Sequence, residues 1–277
     1  MWFGIDEMFR VVKKEGKGMS NLDKQDKLEE QRFWDSQSVD ARSINFEKNV
    51  YSAFEVQEYV RMFQIAATNL ELPENARILD IGCGAGVSTI VLNKMKFRVT
   101  GLDISAALIS NATELAIKEN SNADFIVGDA SDMTFESETF DACFMVGLLH
   151  HFPNYSPVLD ETHRVLKAGG YIIALEPNKL NLSYRASFHL VQRKNGVTTN
   201  EYPLSPYILK RDLNLKFDNI LINPFRQHDV PFLRQLGWFG RSWMGKIVGK
   251  LVRLWRLISP NKIHTGTFFT ITGVKKK

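Results

Sequence analysis

Apolar positions along this chain follow two periods that alternate with one another. The runs at residues 77–81, 97–103, 123–127, 140–146 and 171–175 are nearly continuous and short, as expected of strands covered on both faces of a parallel sheet. A helix starts near Val87, after the first run. Residues 203–213 read as another, with Ser205 as its cap and Pro206 in its first turn. Residues 217–224 then predict a sixth strand and 267–274 a final one. Ahead of all this, residues 31–69 turn helical. Phe54, Val56, Tyr59, Val60, Phe63, Ile65 and Ala66 are their apolar positions, and Leu72-Pro73 ends the segment. Strands alternating with helices predict an α/β fold.

The first strand runs directly into Gly82-Cys83-Gly84-Ala85-Gly86, and the second stops on Asp103 about twenty residues later. Glycines there let the main chain turn sharply and lie against a ligand at a helix start, and the carboxylate suits a ribose diol. A nicotinamide dinucleotide site is the rival reading. Its G-x-G-x-x-G register needs Gly or Ala at position 87, where this chain has Val87. The third strand also ends in an acid, Asp129, followed by Ala130. Next come Phe140-Asp141-Ala142-Cys143-Phe144-Met145-Val146-Gly147-Leu148-Leu149-His150-His151 and then Gly169-Gly170-Tyr171-Ile172-Ile173-Ala174-Leu175-Glu176-Pro177.

This succession over residues 75–180 resembles the class I S-adenosylmethionine-dependent methyltransferases, in particular the small-molecule branch that includes quinone-biosynthesis enzymes. The resemblance implies a Rossmann-like, doubly wound, seven-stranded sheet with an antiparallel last strand. It implies S-adenosyl-L-methionine as cofactor. Asp80 and the loop of Gly82, Cys83, Gly84 and Gly86 would surround its methionine portion, Asp103 the ribose, and Ile104 the adenine face. Asp129 and the main chain of Ala130 would read the adenine edge, while Val146, Gly147 and Leu148 floor the methyl end. Turn and cap chemistry is the plainer role for Asp80 and Asp129.

With 277 residues, 44% of them hydrophobic, the chain can bury one full α/β core with additions. Its two cysteines, Cys83 and Cys143, do not look like disulfide partners, so a reducing, cytoplasmic setting is expected. No metal is expected, because no His/Cys cluster has ligand spacing. The first eighteen residues lack the apolar core of a signal peptide. Residues 1–30 are expected to be a flexible extension, 31–72 a helical prelude over the active site, and 73–277 the main domain. Phe33, Trp34, Tyr51 and Phe54 of the prelude either line the pocket or pack on the sheet.

Charge is strongly segregated. Residues 230–277 hold ten Lys or Arg and no acid, so the first 229 residues carry −6 against the chain's +4. Within 230–262, Trp243, Met244, Ile247, Val248, Leu251, Val252, Trp255 and Ile258 recur at helical spacing with Lys246, Lys250, Arg253 and Arg256 between them. This basic amphipathic insertion precedes the last strand. Residues 232–258 either meet an anionic membrane peripherally or pack on their own domain; spanning is excluded by the charges. A nucleic-acid partner is not expected, since no reader motif accompanies the patch.

An activated methyl donor asks the protein chiefly to align a nucleophile. If that nucleophile is a hydroxyl, His150 or His151 stands where a base could reach, although the pair could equally shape the pocket. The fourth-strand segment lacks the Asp/Asn-Pro-Pro-aromatic signature of base methylation, so the expected acceptor is a small molecule or a lipid-linked one. A non-catalytic cofactor-binding scaffold and a membrane-attached interaction protein are the alternatives.

Overall fold

The computed structural model describes residues 27–36, 63–64, 70–182, 184–185, 201–225, 247, 250, 263 and 266–276. Seven strands form one sheet: β1 (Arg77–Ile81), β2 (Arg98–Asp103), β3 (Asp124–Val127), β4 (Phe140–Val146), β5 (Leu166–Pro177), β6 (Phe217–Phe225) and β7 (Phe268–Lys275). Their order is β3-β2-β1-β4-β5-β7-β6, parallel from β3 to β5, with β7 running antiparallel to both β5 and β6. The expected sheet, including its reversed last strand, is present.

Near-continuous apolar runs are required where the sheet is covered on both sides, whereas β3, read from sequence as covered on both faces, is an edge strand and largely exposed. Alternate residues of one strand enter different cores. Leu79, Ile81, Cys143 and Met145 pack with Val158, Leu159, Leu209 and Leu213. Ile78, Ala142 and Phe144 pack instead with Phe63, Leu92 and Val99. Phe63, the one described among the seven apolar positions of the helical pattern, lies edge-on to Phe144 with ring centroids 5.8 Å apart, so this part of the prelude is core.

Among the described residues, the helices of eight or more residues are α1 (residues 27–36), α2 (Val87–Lys94), α3 (Ala106–Lys118), α4 (Ser156–Val165) and α5 (Pro206–Leu213). Residues 27–30 of α1, read from sequence as the end of a flexible extension, are helical. At α3 the Ser105 hydroxyl accepts the Leu108 N–H at 3.1 Å and so caps the helix. Ser205 stands at the start of α5 without a side-chain cap bond, so only the Pro206 half of that expectation holds. Tyr51, Phe54 and most of the basic insertion fall outside the described residues; of that insertion Ile247 and Lys250 are described, both helical and exposed.

Candidate active site

The C-terminal ends of β1, β2 and β4 meet where strand order reverses between β1 and β4, the place at which open α/β sheets take ligands. Gly82 and Cys83 both donate their N–H to the Leu102 carbonyl, at 2.7 and 3.0 Å, which folds the loop after β1 back onto β2. Gly82, Gly84 and Gly86 all have positive φ. A Cβ on Gly82 would stand 2.6 Å from Leu148 Cδ1, and one on Gly86 2.8 Å from Ala112 Cβ, so the protein itself closes those two positions. A Cβ on Gly84 would meet nothing within 4 Å. Its open face leaves the backbone free for close approach by a ligand.

Asp80 sits beneath this loop and is buried. Its Oδ2 accepts from Ser88 Oγ and Thr89 Oγ1, both at 2.6 Å, while Oδ1 is buried without a hydrogen-bond partner. Burial pushes the carboxyl up to about 6, against the two hydroxyl bonds and with help from the nearby Asp103 charge. A desolvated acceptor lacking a donor is a place for a ligand's donor. Cys83 is also buried, and burial together with the Asp80 and Asp103 charges raises its thiol well above the usual range, so it fills space in the loop as a neutral thiol.

Asp103 closes β2 and ties three segments together. Its Oδ2 accepts the Gly84 N–H at 2.8 Å and its Oδ1 the Ser105 N–H at 2.9 Å. Burial still raises its pKa, because the loss of solvent outweighs those bonds and the His151 charge. Asp129 is held differently. Its Oδ1 accepts both the N–H and the hydroxyl of Ser131 at 2.8 Å, the turn chemistry expected of an Asp at a strand end. Its Oδ2 accepts Lys27 Nζ at 2.5 Å. Burial opposes ionisation here, and the Lys27 and Ser131 bonds outweigh it, holding the carboxyl below its ordinary value.

Lys27, Leu28 and Gln31 of α1 line one cavity with Ile104 and Asp129, so the helix walls the space beside the ends of β2 and β3. Sequence reading missed these three residues. They lie a hundred positions upstream on an ordinary-looking helix, and no local motif marks them. Ala130 is buried beside Asp129, and Val146, Gly147 and Leu148 are half-buried at the end of β4. The Gly147 N–H donates to the Leu175 carbonyl at 2.8 Å, fixing that floor to β5.

His150 and His151 follow in a short 3-10 turn (Leu149–His151), their ring centroids 4.2 Å apart. They are not equivalent. His150 Nδ1 lies 2.9 Å from Glu176 Oε2 at the end of β5. His151 Nδ1 lies 2.7 Å from Glu30 Oε1 and 3.6 Å from Glu201 Oε1, as a close ion pair rather than an aligned hydrogen bond, with Trp34 edge-on at 5.6 Å. Burial disfavours charge on His151, but the contact with Glu30 and the charges of Glu201, Glu30 and Glu176 outweigh it and raise its pKa. Donor atoms of His150, His151 and Glu201 fall within 4.8 Å of one another, a grouping that sequence spacing hid because Glu201 lies fifty residues on. His150 Nδ1 is engaged by Glu176 and His151 Nδ1 by Glu30.

This sheet order, with a glycine loop after β1 and acids ending β1 and β2, defines the class I S-adenosylmethionine-dependent methyltransferase fold. Residues 79–174 match the family model described as a methyltransferase domain. The chain is similar to a phthiotriol/phenolphthiotriol dimycocerosates methyltransferase of Mycobacterium ulcerans, 33% identical over 42% of this chain and 43% of the relative. It is 27% identical to a ubiquinone/menaquinone biosynthesis C-methyltransferase of Sinorhizobium fredii, over 69% of this chain and 74% of that one. A Caenorhabditis elegans sterol 4-C-methyltransferase is 34% identical over 42% of this chain and 35% of its own. The match thus spans less than half of the first and the third of these relatives. Among solved structures, a chain of the Haloferax volcanii complex between a methyltransferase and its activator Trm112 superposes with a TM-score of 0.62 at 17% identity, covering 88% of this chain and 98% of that one. An N-methyltransferase of Haemonchus contortus in complex with S-adenosylhomocysteine gives a TM-score of 0.54 at 17% identity, covering 84% and 59%. These two establish the fold.

Proposed function

We propose that the protein transfers a methyl group from S-adenosylmethionine to carbon or oxygen of a small-molecule or lipid-linked acceptor. The observation that carries this reading is the crevice itself, in which Asp80 Oδ1 lacks a donor and the Gly84 face is open, with Asp103 beside them. Named relatives that act on sterols, quinone precursors and mycobacterial lipids favour an acceptor of that kind. When bound, the cofactor supplies a methyl group on a positively charged sulfur, ready for displacement. Asp80 and the Gly82–Gly86 backbone would hold its methionine end and Asp103 its ribose. Ile104, Asp129, Ala130 and the α1 wall would enclose adenine, and Val146, Gly147 and Leu148 would support the reacting end.

Holding donor and acceptor in line is the main task, and it can account for about 7–11 kcal/mol of barrier. The acceptor's proton must also leave, and His150 and His151 beside the β4 floor are our candidates to take it. Incubating the protein with deuteromethyl-labelled S-adenosylmethionine and a cell extract, followed by mass spectrometry of lipids and metabolites, tests the reading. One labelled product supports it. Tight cofactor binding with no label in any product would leave a scaffold.

For the acceptor's source we favour an anionic membrane surface met by residues 232–258. No helix among the described residues is long and apolar enough to cross a membrane. The supporting observations are the segregated charge and Ile247, an apolar position of the insertion that is 46% exposed. Each basic side chain near an anionic leaflet contributes about 1 kcal/mol. Sedimentation with anionic liposomes at low salt should carry the protein down, and Glu at Lys246, Lys250, Arg253 and Arg256 should leave it in solution. A wild-type protein that stays in the supernatant refutes the membrane reading.

A further inference from the structure

We infer that Glu176 is the positioning residue of this site, holding His150 in the tautomer that makes it the proton acceptor of the pair. The inference rests on the proposed methyl transfer for its purpose, and on geometry for its content.

Glu176 is fully buried, and three contacts converge on its carboxylate. Oε1 accepts the Leu148 N–H at 3.1 Å and the Leu149 N–H at 2.8 Å. Oε2 faces His150 Nδ1 at 2.9 Å. An ionised carboxylate only accepts, so the proton of a neutral His150 ring must sit on Nδ1. Nε2 is then left with its lone pair. The same side chain holds the backbone of Leu148, part of the methyl-end floor, so floor and base are set by one group delivered from β5.

His151 is held differently: its Nδ1 lies 2.7 Å from Glu30 of α1 without an aligned hydrogen bond and 3.6 Å from Glu201, and these charges favour the protonated ring. The division of labour follows. In the transfer, an acceptor lone pair forms the new bond to the methyl carbon, and the carbon–sulfur electron pair returns to sulfur. The acceptor's proton goes to His150 Nε2, and the resulting imidazolium is stabilised by Glu176. Among the described residues, charged and titratable groups near the pair are Glu176 from β5, Glu30 from α1, Glu201 ahead of α5, Asp103 from β2, Tyr184, which interacts with Glu176 and Glu201, and the two histidines themselves.

Nitrogen-15 imidazole spectra of the full chain at pH 8 test this without needing the acceptor. The wild type should show His150 neutral, protonated on Nδ1 and bare on Nε2. In Glu176→Gln the amide oxygen can still accept from Leu148 and Leu149 while the NH2 group turns to Nδ1, so the proton should move to Nε2. Glu176→Asp keeps the carboxylate and should keep the wild-type tautomer, which leaves the test standing if the Gln variant fails to fold. A wild-type ring protonated on Nε2, a ring still doubly protonated at pH 8, or a Gln variant with an unmoved tautomer overturns the inference. Loss of S-adenosylhomocysteine binding in the wild type would instead overturn the methyltransferase reading and leave the tautomer result intact.

Discussion

Asp80 offers the sharpest quantitative test, because one buried carboxylate links stability, ligand binding and pH. Its pKa is raised by burial from 3.8 to about 6, and its Oδ1 has no donor. In the ligand-free protein, a raised carboxyl favours the folded state while protonated. About 3 kcal/mol of stability is therefore fully present below the unfolded value of 3.8 and is lost as pH rises through about 6. Binding reverses the preference. In the proposed placement, the ammonium at the amino-acid end of S-adenosylhomocysteine favours the ionised form, so binding near pH 5 should release a proton. A group with a pKa near 6 is about nine-tenths protonated at pH 5, so affinity there should be about tenfold weaker than at pH 7.5, where it levels off. Calorimetry in two buffers of different ionisation heat at pH 5 measures the proton directly. Asp80→Asn keeps an acceptor for Ser88 and Thr89 but cannot ionise. It should bind weakly with no pH dependence between 5 and 7.5, while thermal melts at pH 7.5 show it no less stable than wild type. A flat wild-type affinity over that range, or the same slope in the Asn variant, would refute the reasoning.

Asp103→Ala should weaken S-adenosylhomocysteine binding by about 2–3 kcal/mol, thirty-fold to more than a hundred-fold, since it removes the ribose carboxylate and also frees the Gly84 N–H it holds; unchanged calorimetry would remove Asp103 from the site. Gly84→Val adds branches where the protein has nothing within 4 Å and imposes a side chain on a φ of 54°, so the folded variant should emerge without cofactor, and retained cofactor on purification would clear the loop of that role. His151 is raised above 6.5, so its contribution to docking α1 through Glu30 is complete below 6.5 and fades as pH climbs through its higher folded value. Hydrogen exchange in residues 27–36, corrected for intrinsic rate, should quicken from pH 6 to 9 in wild type and show no such pH step in His151→Gln.

Sequence alone determined whatever depends on near neighbours. The continuous apolar runs fixed β1 to β5 as strands, buried on two faces except at the edge strand β3, which is largely exposed, and the alternation of Ile78 and Phe144 against Leu79 and Met145 between two cores follows from their period of two. The glycine loop was equally legible, because a strand entering Gly82, Gly84 and Gly86 leaves few backbone paths, and Asp103 lay one strand away. Other properties come from residues that are remote in sequence and adjacent only after folding. Lys27 reaches Asp129 across 102 positions, Glu176 reaches His150 across 26, and Glu30 and Glu201 converge on His151 from opposite sides in sequence. No local periodicity encodes such meetings, since each is set by how helices and strand ends pack. The pattern therefore named His150 and His151 together, and tertiary contacts made them different: one ring beneath a carboxylate that orients it, the other paired with a helix that arrives from the N-terminal side.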